Sequence, residues 1–238
     1  MNTVVADITY RAMLGRKRIL LLVLLPLALI AVAGLLRLIG GPSEGTAVTL
    51  MKTFAIGTIL PLLGLIAGTG VIAPEIEDGT IMHLLSKPIS RPVITFTKFV
   101  VAASLLALFA AVPTFIAAYL LVQTESGVAY GFALGALLAG VAYAAVFLLL
   151  GVLTRHAVTV GVIYALVWEG LVGGYVPGAR KFSIQQWAQS IADQVSTSAF
   201  FKSDVPIGFA VPAIVIVTVA ALLIAGQRLR GLSLTGDE

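Results

Sequence analysis

ILLLVLLPLALIAVAGLL, residues 19–36, holds no charged side chain, and only Pro26 interrupts its helical hydrogen bonding. The hydrocarbon core of a bilayer is crossed by about 20 consecutive apolar residues in an α-helix. Five more runs of the same kind follow, at residues 53–73, 99–122, 128–153, 157–176 and 205–226. A closed β-barrel also satisfies every backbone polar group in lipid, but its strands alternate in polarity over segments of about ten residues. These runs are continuous and far longer. The pattern predicts an all-α membrane protein with about six transmembrane helices.

Composition agrees. Hydrophobic residues make up 59% of the chain, charged residues 11%, and the mean hydropathy is +1.07, whereas soluble domains carry roughly 25% charged residues. A chain of 238 residues has no soluble core large enough to hide that much apolar surface. The formal charge of +4 does not point to nucleic acid. The basic residues stand in short groups beside the apolar runs, as membrane topology requires, and not on a phosphate-binding face. With no cysteine in the chain, disulfides, thiol chemistry and cysteine-ligated metals are excluded.

Arg16-Lys17-Arg18 before the first run suits a signal peptide, but the run is longer than a signal core and no small-residue cleavage site follows. It reads as a retained helix. With the N-terminus inside, the inner segments hold ten of the lysines and arginines and the outer segments five, so both termini are expected in the cytoplasm. The division is a cytoplasmic amphipathic interfacial helix at 1–18, a transmembrane domain at 19–226, and a cytoplasmic tail at 227–238. In the first, Val4, Val5, Ile8 and Ala12 recur at helical spacing against Asp7 and Arg11. Between the fifth and sixth runs, Ile184, Trp187, Ala188 and Ile191 repeat at helical intervals behind Ser183, a suitable cap. They predict a short extracytoplasmic helix.

The most informative polar stretch is PEIEDGTIMHLLSKPISRPVITFTK, residues 74–98. Ile81, Leu84 and Leu85 share one helical face, with Glu77, Asp78, Thr80 and His83 around it. So short a helix is not stable alone in water, so a packing partner is expected. Ser90 is placed to cap the third span, with Pro92 in its first turn. Both ends of this knob run directly into membrane helices, a shape suited to transmitting force from a soluble partner.

The pattern Glu77-x-Gly79-Thr80-x3-Leu84-Leu85-Ser86-x-Pro88-Ile89-Ser90-Arg91-x6-Lys98 resembles the first cytoplasmic loop of ABC-2 type transporter permeases. The span count, the N-terminal amphipathic helix and the outer helix before the last span are similar to that family as well. The resemblance implies that the loop is a coupling helix seated in a cleft of a nucleotide-binding subunit, with Glu77, Gly79, Thr80, Leu84, Leu85 and Arg91 as coupling residues. It implies a second permease subunit, identical or related, ABC ATPase subunits that bind ATP and magnesium, and a bacterial plasma membrane. It leaves the substrate open, as well as an extracytoplasmic partner for the segment 177–204. No cofactor is expected in this chain itself, because it contains no G-x-x-x-x-G-K-[ST] sequence to cradle phosphates.

Glu169 is the lone acid within the apolar runs. An acid at membrane depth is a candidate for a gate or substrate path; it also stands near the outer end, within reach of interfacial water, Arg180 or Lys181. Three pairs, Gly64 and Gly68, Gly131 and Gly135, Gly170 and Gly174, have the spacing that allows close helix contact, more often within one chain than between chains. Pro26, Pro61, Pro113 and Pro212 lie inside spans and are placed to bend them. No H-E-x-x-H spacing occurs, and His83 and His156 both map to the cytoplasmic edge, which argues against an enzyme. The alternative to a permease is a self-sufficient secondary carrier or channel, which would be expected to show inverted halves; no such internal repeat is visible.

Overall fold

The computed structural model describes residues 3–78, 90–123 and 126–231. Among them, six helices are long and apolar enough to cross a membrane. Helix α1, Thr3–Met13, precedes the first span, α2, Arg16–Gly40. The next four spans are α3 (Glu44–Ile76), α4 (Arg91–Val122), α5 (Val128–Leu153) and α6 (Ala157–Tyr175). A short helix α7, Ile184–Val195, leads to the last span, α8, Ile207–Gly231. The end of α3, the start of α4 and α1 share one end of the bundle, called here the near end; α7 caps the far end.

Helices α3 and α4 begin well before their apolar runs, whereas α5 coincides with its run at 128–153. Helix α3 starts nine residues before residue 53, and α4 starts eight residues before residue 99. Helical hydrogen bonding continues through Lys52 and Lys98 because the long stems of lysine can lie along apolar surface while the amine finds a polar partner. The N-terminal segment divides at Leu14–Gly15. Helix α1 turns Val5, Thr9 and Met13 inward and leaves Val4 and Ile8 exposed, with Asp7 and Arg11 paired one turn apart at 3.0 Å.

Helix α5 is the axis of the bundle. Tyr143, Phe132, Phe147 and Leu148 are fully buried on it, and it packs against α3, α4, α7 and α8. Helices α2 and α8 stand at the rim, each with only 22% of its span buried by the chain. Leu20, Leu24, Leu27, Leu35 and Leu38 on α2, and Val215, Ile216, Val219 and Leu223 on α8, face outward. So much exposed apolar surface is untenable in water.

Two of the three glycine pairs explain the close packing on this axis. A Cβ at Gly68 would lie 2.5 Å from the Phe147 Cβ, and one at Gly64 2.9 Å from the Tyr143 Cβ. On the other side, a Cβ at Gly131 or Gly135 would meet the backbone oxygens of Ala192 or Ala188 at 2.7 and 2.4 Å. Helix α7 therefore lies backbone to backbone in a groove of α5. The pair Gly170 and Gly174 seats no helix: a Cβ at 174 meets nothing within 4 Å.

The prolines act differently according to place. Pro26 and Pro212 sit within regular helices. Pro61 and Pro113 follow π-helical segments, Met51–Ile59 and Ala107–Ala111. A proline ring clashes with the carbonyl four residues earlier, here Gly57 and Phe109, and a wider turn relieves that clash. A third π segment, Tyr164–Val172, contains no proline and carries Glu169.

Replacing Gly135 by leucine should force α7 off its groove, because the atom it meets is backbone and cannot rotate away. Overpacking of this kind costs about 1–3 kcal/mol or more. The melting temperature of the detergent-purified protein should fall clearly, whereas Gly34→Ala, where a Cβ has open space, should leave it unchanged or slightly raised.

Candidate functional site

Cationic side chains bind backbone carbonyls at helix ends throughout the near end. The last carbonyls of a helix lack intrahelical partners and carry the negative end of the helix dipole. Regular helix in α3 closes at Gly70, before a turn at Val71 and Ile72, and the Arg18 guanidinium donates to the Gly70 carbonyl at 3.0 Å, with the Met13 sulfur 4.0 Å away. Lys98 is fully buried and its Nζ donates to the Val71 carbonyl and to Glu75 Oε1, both at 2.6 Å. Arg91 Nη1 donates to the Leu229 carbonyl of α8 at 2.9 Å. The Tyr10 hydroxyl meets Ser104 Oγ, holding α1 against α4.

The Lys98–Glu75 bridge ties the end of α3 to the first turns of α4, the two helices that flank residues 79–89. An unpaired charge at this depth would cost several kcal/mol, and the carboxylate and carbonyl together offset that. Of the six predicted coupling residues, Gly79, Thr80, Leu84 and Leu85 lie outside the described residues. Glu77 is the last residue of the short helical turn Ala73–Glu77. Arg91 begins α4 and reaches the end of α8 through the Leu229 carbonyl. Ser90 occupies the N-cap position of α4 in extended conformation, with Pro92 in the first turn, but its side chain makes no capping bond.

At the far end, Glu169 is fully buried and accepts from four donors. These are the Tyr164 hydroxyl at 2.8 Å, Ser183 Oγ at 2.6 Å, and the backbone N–H groups of Ile184 and Gln185, each at 3.1 Å. The last two open α7, where a carboxylate both satisfies orphan donors and complements the positive end of the helix dipole. Tyr164 and Glu169 are five residues apart, one turn of the π segment they share. The chain comes close enough because residue 173 is glycine; a Cβ there would lie 2.6 Å from the Ser183 Cβ. Ser183 also accepts from the Gln186 N–H at 3.3 Å, so the cap read from the sequence is present.

Arg180 is paired not with Glu169 but with Asp204. Trp187 Nε1 donates to the Lys181 carbonyl at 2.7 Å, and Gln186 Nε2 to the Gly173 carbonyl at 3.2 Å. Helix α7 is thereby fixed to the end of α6. Its apolar residues Ile184, Trp187, Ala188 and Ile191 are buried, turned onto the bundle. Sequence reasoning found the helix and its serine cap but missed the carboxylate that holds it. The available signal was a single acid in an apolar run followed by a capped amphipathic helix.

A family model for ABC-2 family transporter proteins matches residues 15–203. The chain belongs to the ABC-2 transporter family. Six apolar helices and this match make it a multi-pass membrane protein and a permease subunit of an ABC transporter, as the resemblance in the loop implied. The ABC-2 match takes in α2 through α7, and so includes both the Lys98 bridge and the Glu169 cap. No curated protein matches the chain.

Glu169→Ala should strand the two N–H groups at the start of α7, at a cost of about 1–3 kcal/mol for each buried group left unpaired. The melting temperature should drop, and amide exchange should accelerate in α7 before it does in α5. Glu169→Gln, which keeps an acceptor of the same shape, should lose less.

Proposed function

We propose that this permease subunit drives export by taking its conformational energy from a separate ATPase through the loop at 79–89. The Lys98 bridge supports this reading most directly. It couples the two helices that flank the loop, so a push on the loop moves α3 and α4 together and is not absorbed at their ends. The distribution of lysine and arginine supports taking the near end as the cytoplasmic end, with both termini on that side.

In this scheme ATP and magnesium bind the partner subunits only. Closure of two ATPases would draw in the loops of two permease subunits, a pair of identical chains or of related ones, and reshape the path between them. The coupling residues are Glu77, Gly79, Thr80, Leu84 and Leu85, with Arg91 holding the base of the lever against α8. Glu169 contributes by fixing α7 over the outer mouth. By linkage, substrate that favours one membrane state must bias nucleotide binding to the same degree. A self-sufficient carrier would not need a stiffened loop base.

Leu84→Asp places a charge on the face that would enter the ATPase cleft. Loss of a central apolar anchor commonly costs about 2 kcal/mol or more, so co-purification of the ATPase should fall by at least tenfold while membrane insertion persists. Substrate flux into proteoliposomes by the purified chain alone, with neither ATPase nor nucleotide, would overturn the proposal.

A further inference from the structure

An apolar crevice of about 240 Å³ opens at the near end between the start of α4 and the end of α8. Pro92, Leu222, Leu223, Gly226 and Gln227 line it, and Gln227 supplies the polar side chain among them. The volume falls below the roughly 300–1,000 Å³ of small-molecule sites. The opening stands where a side chain is missing: a Cβ at Gly226 would meet nothing within 4 Å. Ile216, Val219 and Leu223 of this rim helix are exposed, so acyl chains are the fluid that bathes it.

Polarity along the last turns of α8 changes in the order of a phospholipid. Leu222 and Leu223 come first, then Gly226 and Gln227, and then Arg228 and Arg230. Position 230 stands one turn beyond Gly226 on the same helical face. Arg228 is exposed, and Arg91, beside Pro92, crosses to the Leu229 carbonyl at 2.9 Å. The charged residues of α4 and α8 are Arg91, Lys98, Arg228 and Arg230, with no aspartate or glutamate in either helix. Basic groups between membrane helices at this level attract anionic headgroups. Membrane orientation accounts for the arginines, but not for an apolar notch one turn below them.

We infer that this crevice seats an acyl chain of an anionic phospholipid, with its phosphate at the level of Arg228 and Arg230 and its ester region beside the Gln227 amide. Bound there, the lipid buttresses the contact between α4 and α8 that Arg91 makes. The site needs no ATPase, so it stands or falls separately from the export mechanism.

The test uses the full chain in dodecyl maltoside, with native mass spectrometry during titration of phosphatidylglycerol or phosphatidylcholine of matched acyl chains. The first phosphatidylglycerol should be held about tenfold more tightly than phosphatidylcholine, because each arginine near the headgroup favours an anionic lipid. Joint replacement, Arg228→Gln with Arg230→Gln, should remove that preference and leave retention of phosphatidylcholine unchanged. Gly226→Leu fills the crevice from an open position, so it should weaken both lipids by about fivefold without lowering the melting temperature. Gly34→Leu, the same change at an open position on the other rim helix, should weaken neither. Equal retention of the two lipids overturns the inference, as does displacement by free glycerol phosphate. So does a folded Gly226→Leu protein that keeps its full lipid affinity, or one that loses dimer and not lipid, which would make the crevice a seat for a second copy.

Discussion

A helix that ends in or near lipid leaves its last carbonyls and first N–H groups without partners, and lipid supplies none. The ends of this bundle are built around that constraint. Arg18, Lys98 and Arg91 each reach a carbonyl at the close of another helix, and Arg37 reaches the Leu120 carbonyl at the far end. Glu169 answers the opposite need at the start of α7. Five charged residues of this apolar chain thus serve main-chain ends, and in doing so they tie together helices distant in sequence.

The same bonds decide which parts move together. Lys98 holds the end of α3 to α4, and Arg91 holds α4 to α8, so the near end joins three spans through two cations. The middle of the bundle is held by shape instead. Phe147 fills the notch at Gly68 and lies 5.8 Å from both Tyr143 and Tyr164, stacked on the first and edge-on to the second. π segments interrupt regular helix in α3 at Met51–Ile59, in α4 at Ala107–Ala111 and in α6 at Tyr164–Val172. Such segments are uncommon and often mark functional positions in helices.

The six spans and the helix α7 were legible because lipid demands long apolar runs and because amphipathic spacing is a local property. The boundaries were less so: apolar counting stops at Lys52 and Lys98, whereas the helix continues wherever a charge finds a partner. Gly131 and Gly135 announced a close contact, but only the fold shows that α7 fills it. Glu169 was visible as an anomaly, and its role was not, since Ile184 and Gln185 lie fifteen and sixteen residues away and offer only backbone atoms, which leave no mark in composition. The contact of Arg91 with α8 left no mark in the sequence either, for the same reason: its acceptor is a carbonyl. Side chains that serve main-chain atoms are the ones sequence patterns conceal.

Helix α7 rests in its groove through main-chain surfaces, with glycine on one side and the peptide units of Ala188 and Ala192 on the other. A joint of that kind sets the distance between α5 and α7 through main-chain atoms, which cannot rotate aside as a side chain can. The far end of α5 and helix α7 are therefore held as one body, and no rotamer change can open a gap between them.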